Sequence, residues 1–351
     1  MIAEIFAVDW EQVRFKRALS GLIAMLLTIA FLGSSSDAVM TVSFATLFTI
    51  ASGGDGLMTE RWLHMLRFAL LGGLIGALAF WSVDTAWSVA LVLGLATYLG
   101  TLAAAFGQRS ARAGLFLTIW TLFAVLLGST ETEPLSVSLS FLVGGVIAIV
   151  VTWIRLSVSS EDDADDEASG VVESSADDEI AGSVFVRFSA AARTPLGWFA
   201  LVRTVSVVGS VLLGFWWFSS FPLWAAITVI IVVKPSTSQT ASVAVQRTLG
   251  TAVGASIAIA IAQRLPESDT AVAVAFLISA VLMIAFMNAN YTLFAVFLTA
   301  TLVFSQRLAQ ADAFEAGWER VLATALGGLI SFGAVWYAMY SASRRGARSP
   351  S

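Results

Sequence analysis

The chain has no cysteine, two lysines, one histidine and six prolines in 351 residues, and only 12% of it is charged. Without cysteine there are neither disulfides nor thiolate metal sites. A single histidine, His64, rules out a His-Glu-x-x-His zinc motif. No Gly-x-Ser-x-Gly nucleophile turn and no Gly-x-x-x-x-Gly-Lys-Ser/Thr phosphate loop occurs. The expectation is a protein that is no enzyme and no ATPase, with no catalytic residue, no metal and no cofactor. No nucleic-acid partner is expected.

What is present is hydrocarbon. Hydrophobic residues make up 58% of the chain and the mean hydropathy is +0.86, whereas about a quarter of a soluble domain is charged. Residues 18–154 and 198–341 are almost continuously apolar, without the alternation of a barrel strand, so the spanning elements are helices. Between them, Glu161 to Glu179 holds ten carboxylates and no Lys or Arg, a block expected to be solvated and disordered over 159–180. The opening residues include Glu4, Asp9 and Glu11, so no cleavable signal peptide is expected there. Ile2, Phe6, Trp10 and Val13 share one helical face, which predicts an interfacial helix.

A bilayer core of about 30 Å takes roughly 20 apolar helical residues. Polar or Gly-bearing breaks divide the two blocks into twelve spans: 18–33, 38–52, 67–83, 87–106, 112–128 and 135–154, then 200–218, 222–234, 247–263, 270–287, 291–306 and 319–341. Several fall short of 20 residues, so the helices are expected to run on into the flanking polar residues. With both termini cytoplasmic, sixteen of the nineteen Lys and Arg fall inside and only Arg264, Arg307 and Arg320 outside, which is the positive-inside pattern. The expected architecture is all-α: a polytopic membrane protein of about 12 transmembrane helices as two parallel six-helix repeats. Its parts are a cytoplasmic interfacial segment 1–17, a first repeat 18–155, an acidic cytoplasmic linker 156–197, a second repeat 198–341 and a cytoplasmic tail 342–351, in the cell membrane.

Three residue patterns recur in order. Arg17-Ala-Leu-Ser20 opens span one as Arg203-Thr-Val-Ser206 opens span seven. Arg67 precedes Gly72 and Gly76 as Arg247 precedes Gly250 and Gly254, and Gly144-Gly145 matches Gly327-Gly328. Small residues four apart let transmembrane helices approach closely, and packing is their first reading, with a pore constriction as the alternative. Topology explains each arginine singly. As a group, Arg17, Arg67, Arg203 and Arg247 at the cytoplasmic ends of equivalent helices would ring a pseudo-twofold axis with positive charge and gather an anion.

In the second half, Phe221-Pro222-Leu223-Trp224-Ala225-Ala226-Ile227-Thr228 leads into Val233-Lys234-Pro235-Ser236 and then Arg247-Thr-Leu-Gly-Thr-Ala-Val-Gly254; Asn290-Tyr291, Thr299 and Arg320 ahead of Gly327-Gly328 follow. This resembles the fusaric acid resistance (FUSC) family of aromatic acid exporters, and at superfamily level is similar to the plant aluminium-activated malate channels. The resemblance implies a cytoplasmic-membrane protein that exports or conducts organic, in part aromatic, anions. The first half lacks a Lys-Pro after span two and has Val137 where Arg320 would align.

Candidate substrate-binding residues are Arg17, Arg67, Arg203, Lys234, Arg247, Tyr291 and Arg320. Trp216, Trp217 and Trp224 could stack an aromatic ring or form an interfacial belt. Proton coupling would need a titratable group, for which His64, Asp84 and Glu319 are the candidates. His64 also reads as an interfacial polar residue, and Glu319 as an ion pair with Arg320. The expected partners are a small organic anion, the lipid bilayer, and a second copy or an accessory subunit. A nontransporting scaffold, recruiting a basic partner through the acidic linker, is the alternative. Deleting 161–179 and measuring anion flux separates the two: flux is expected to persist, and its loss would favour the scaffold.

Overall fold

The computed structural model describes residues 8–10, 36–52, 58–80, 85–128, 134–158, 184–218, 222–265, 269–287, 289–308 and 313–346, with isolated positions between 13 and 26. Twelve α-helices are defined among them: α1 Ser36–Ser52, α2 Met58–Phe80, α3 Ala86–Leu102, α4 Gln108–Gly128, α5 Pro134–Val158, α6 Val184–Ala192, α7 Pro195–Trp217, α8 Trp224–Val232, α9 Thr237–Ala262, α10 Asp269–Phe286, α11 Tyr291–Leu308 and α12 Ala313–Gly346. No strand occurs among the described residues. The chain is an all-α, multi-pass membrane protein: seven of these helices are long and apolar enough to cross a bilayer. Large apolar side chains such as Leu74, Leu78, Trp216 and Leu329 stand exposed on helix surfaces, while Arg247 and Arg320 are buried. That reverses the arrangement expected in water and suits a hydrocarbon surround.

Eleven of the twelve expected spans coincide with a helix. Span one, 18–33, lies mostly outside the described residues, as does the acidic stretch 159–180. The helices do run past the apolar runs. α2 begins nine residues before Arg67 and α9 ten residues before Arg247, because a helix closes its own hydrogen bonds whether or not its first turns are polar. Arg67 and Arg247 are therefore not at helix ends. Within the expected linker, α6 is helical and packs on α3 and the turn after it, with Phe188 against Phe106 and Ala191 against Leu102.

The chain divides into two compact units, Ile23–Leu201 and Met1–Leu22 with Val202–Ser351. In the first, α5 packs on α1 and α2, α4 on α2 and α3. In the second, α12 packs on α8 and α9, α11 on α9 and α10. The pairing scheme is the same, and so are its details. A Cβ on Gly144 would stand 2.6 Å from the Val42 carbonyl oxygen and 2.7 Å from Ala45; one on Gly327 would stand 2.7 Å from the Ala225 oxygen and from Thr228. Each residue in the second set lies 183 positions after its counterpart. The Thr118 hydroxyl bonds to Ala96 of the neighbouring helix and the Thr301 hydroxyl to Ser279, again 183 apart. The repeat is written in the packing as well as in the residues.

Two features of the second unit position its polar residues. α8 has nine residues, about 13.5 Å of helix, and is buried along nearly its whole length. The segment before α9 is also pinned. Pro235 ends the chain's extended exit from α8 and the Ser236 hydroxyl caps α9 by accepting from the Gln239 N–H. The buried Thr240 hydroxyl accepts from the Lys234 N–H and donates to the Lys234 carbonyl. Near the N-terminus, Val8 and Val13 pack on the Ala285–Phe286–Ala289 corner, and Trp10 meets Phe286 edge-on.

Backbone approach at the glycines carries a direct test. A Cβ on Gly254 would strike the Val296 carbonyl oxygen, whereas one on Gly209 meets nothing within 4 Å. Gly254→Ala is expected to destabilise the protein by about 1–3 kcal/mol and Gly209→Ala to leave it unchanged or firmer, read from thermal unfolding in detergent.

A candidate anion site built by four helices

In the second unit the sequence builds a polar centre from four apolar helices. Asn290 starts α11: its Oδ1 accepts from the Leu293 N–H at 2.8 Å, which sets Tyr291 as the first helical residue. Gly250 and Gly254 bring α9 hard against α11 at Thr292 and Val296. Arg247, the eleventh of the 26 residues of α9, is thereby placed near mid-helix, and its side chain is 0% exposed. The Tyr291 hydroxyl lies beside it without completing a hydrogen bond of normal geometry.

Arg320 enters from α12, 2% exposed. Its guanidinium lies over the Trp224 ring, 4.1 Å from the centroid, and its Nε points to the Thr299 hydroxyl at 3.5 Å. Stacking and the Thr299 contact engage one face of the fork and its Nε and leave the two terminal nitrogens, Nη1 and Nη2, to be satisfied elsewhere. Among the described residues neither has an acceptor, and none of the three guanidinium nitrogens of Arg247 has one. The Thr251 hydroxyl, fully buried one turn beyond Arg247, is also without a partner among them.

The electrostatics are one-sided. The Arg247 charge is close enough to bear on Arg320, so two like charges share a low-dielectric interior. A guanidinium does not escape by losing its proton, and an uncompensated buried charge costs several kcal/mol. Trp224 is also the first residue of α8, so the positive end of that helix lies at Arg320, the wrong end of a dipole for a cation. Each of these three terms falls if an oxyanion sits between the guanidinium groups. The arrangement is short of negative charge and rich in directed donors.

The other sequence candidates fall elsewhere. Arg203, on α7, gives its Nη2 to the Ile230 carbonyl near the C-terminal end of α8, a capping use of the charge. Lys234 is half-buried just past that end, within range of Arg203. Arg203 and Lys234 thus form a second cationic point about one α8 length from Trp224. Arg67 stands exposed on α2 of the first unit. With the glycines in register, both pairs 178 residues apart, Arg67 corresponds to the exposed Val245, and Arg247 to the buried Ala69. In that alignment the two arginines differ in facing, Arg67 outward and Arg247 inward. His64 is half-buried on α2, bonded to the Ser52 backbone and near Arg67 and Arg109. Glu319 is half-buried beside Arg320 in the chain. Arg17 and Asp84 lie outside the described residues. Among the described residues no cluster of His, Asp and Glu could hold a metal ion.

Sequence reasoning proposed Arg247, Tyr291 and Arg320 but not their meeting. It placed Arg320 at the far side of the membrane from Arg247. The Trp224–Arg320 stack, 96 residues apart in the chain, leaves no periodic trace, and Thr251 stands in the sequence only as part of a Gly-Thr motif.

Residues 186–334 match the family described as fusaric acid resistance protein-like, a segment that contains every member of this site. No curated protein and no solved structure matches the chain.

The Thr240 clasp holds the turn that carries Lys234 and can be tested apart from any ligand. Thr240→Val leaves a buried N–H and carbonyl unpaired and is expected to cost about 1–3 kcal/mol in thermal unfolding.

Proposed function

We propose, with the family match of the second half as premise, that this membrane protein moves organic carboxylate anions, aromatic ones among them, out of the cell across the cytoplasmic membrane. The observation that carries the reading is the pair of buried guanidinium groups of Arg247 and Arg320, near enough for one charge to bear on the other and with terminal nitrogens that have no acceptor among the described residues. Charged residues inside a membrane bundle mark transport paths more often than fold, and a carboxylate is the natural complement of a guanidinium fork.

In this reading an anion leaving the cytoplasm is first met by Lys234 and Arg203 beyond the C-terminal end of α8. It then gives up water to reach the inner donors: Arg247 with the Tyr291 hydroxyl, and the Nη1 and Nη2 atoms of Arg320. Two cationic points about 13.5 Å apart, the length of α8, offer a staged descent of the desolvation cost. Conduction needs sites favourable enough to enter and weak enough to leave. Trp224 is held as the seat of Arg320. The sequence supplies no nucleotide-binding loop, so the driving force would be the anion gradient, the membrane potential or a proton. For a proton, His64, Asp84 and Glu319 remain the candidate carriers. Both termini would be cytoplasmic, with a second copy or an accessory subunit as the protein partner.

Replacement of either inner arginine tests the assignment. Losing one charge-assisted hydrogen bond costs about 1.5–3 kcal/mol, equivalent to roughly 10- to 100-fold in affinity. Arg247→Gln and Arg320→Gln are each expected to cut carboxylate flux into proteoliposomes at least tenfold. Arg264→Gln, at an exposed turn after α9, is expected to retain it. Undiminished flux in both folded variants would remove the site from the pathway.

A further inference from the structure

The two units share a pairing scheme, so each residue of the site has a counterpart that can be located. On α5 and α12 the register is set by Gly144 and Gly327, on α1 and α8 by Val42 and Ala225, and on α4 and α11 by Thr118 and Thr301, all 183 positions apart. On α2 and α9 the alignment is of sequence, Gly72 and Gly76 with Gly250 and Gly254. In that register Arg320 becomes Val137, Arg247 becomes Ala69, Thr299 becomes Phe116 and Trp224 becomes Thr41. Val137 and Ala69 are each 3% exposed. Both guanidinium groups are gone, and the positions stay buried.

The space is taken by rings. Trp120, 0% exposed, lies 4.3 Å from Phe141, whose other neighbour is Phe68 at 6.0 Å. Gly76 accommodates the indole, with a would-be Cβ 3.4 Å from it and 3.6 Å from Val137. The indole N–H is used up: it donates to the Gly72 carbonyl at 2.8 Å. Phe116 joins a second run through Phe48 and Phe44 to Phe123. A packed aromatic stack whose polar atom is already bonded offers an ion nothing, and the transfer of a carboxylate into it would be strongly opposed.

We infer that each chain holds one anion site, in its second half alone, and that the Trp120–Phe141 stack seals the equivalent place in the first. The inference rests on the carboxylate reading of the Arg247–Arg320 pair and specifies its capacity. The two halves then do not take turns at carrying the anion: one binds, and the other is a sealed counterpart.

The number of anions bound per chain decides it. Equilibrium dialysis of the purified full chain in detergent would use radiolabelled benzoate and, separately, succinate as probes. One saturable site per chain is expected with at least one of them, falling to none in the Arg247→Gln/Arg320→Gln double variant. Arg320→Lys, which keeps the charge and loses the fork, guards against misfolding of the double variant: it is expected to keep one site with affinity weakened at least tenfold. A stoichiometry of two, or a residual site in the folded double variant, would overturn the inference and leave the carboxylate reading standing. No saturable binding of either probe to the unmodified chain would overturn both.

Discussion

Two guanidinium groups in a hydrocarbon interior are the constraint around which the second unit is arranged. Neither Arg247 nor Arg320 can shed its proton, and neither has its terminal nitrogens satisfied among the described residues. The surrounding helices are placed to hold these charges in position without neutralising them. Gly250 and Gly254 let α9 close on α11, the Asn290 cap presents Tyr291, and Trp224 with Thr299 engages the guanidinium of Arg320. Every one of those contacts orients a donor, and none supplies a counter-charge. The centre they hold is electrostatically incomplete among the described residues, at a cost to stability.

The same packing frame without the Arg247–Arg320 pair is seen in the first unit. The glycine contacts and the cross-helix threonine bonds recur, yet the interior is ring on ring around Trp120. Small-residue contacts fix the distance between helices and say nothing about what faces the space between them. The frame and the chemistry are therefore separable: the same packing surrounds an aromatic stack in one unit and a guanidinium pair in the other.

Much of the frame was legible in the sequence, because apolar runs and glycine spacing report directly on helices and their close approaches. The charge balance of the loops reports only on topology. What escaped was depth and facing. A hydropathy run begins where polar residues stop, so Arg67 and Arg247 looked like helix starts, when α2 and α9 begin nine and ten residues earlier. Arg67 and Arg247 also seemed a matched pair because each stands shortly before two glycines. A spacing of five residues in one case and three in the other turns the side chain through about 200° on a helix of 3.6 residues per turn, and one faces outward while the other is buried. The convergence of Arg247, Tyr291 and Arg320 is a property of four helices crossing, for which no local pattern exists. Their presence within one family-like motif was the available signal.

The shortness of α8 has a consequence for the groups at its ends. A helix of about 13.5 Å within a bilayer core of about 30 Å ends inside the hydrocarbon zone at one end or both. The amides of its first turn have no carbonyls of their own helix to meet. In lipid, such groups persist only against protein or against water. Leu223 and Trp224 at one end and Val232 and Val233 at the other are buried, so protein closes over both ends of α8. One of those ends is Trp224, under Arg320, so the guanidinium pair sits where a helix stops inside the protein, beside amides that no carbonyl of that helix can meet.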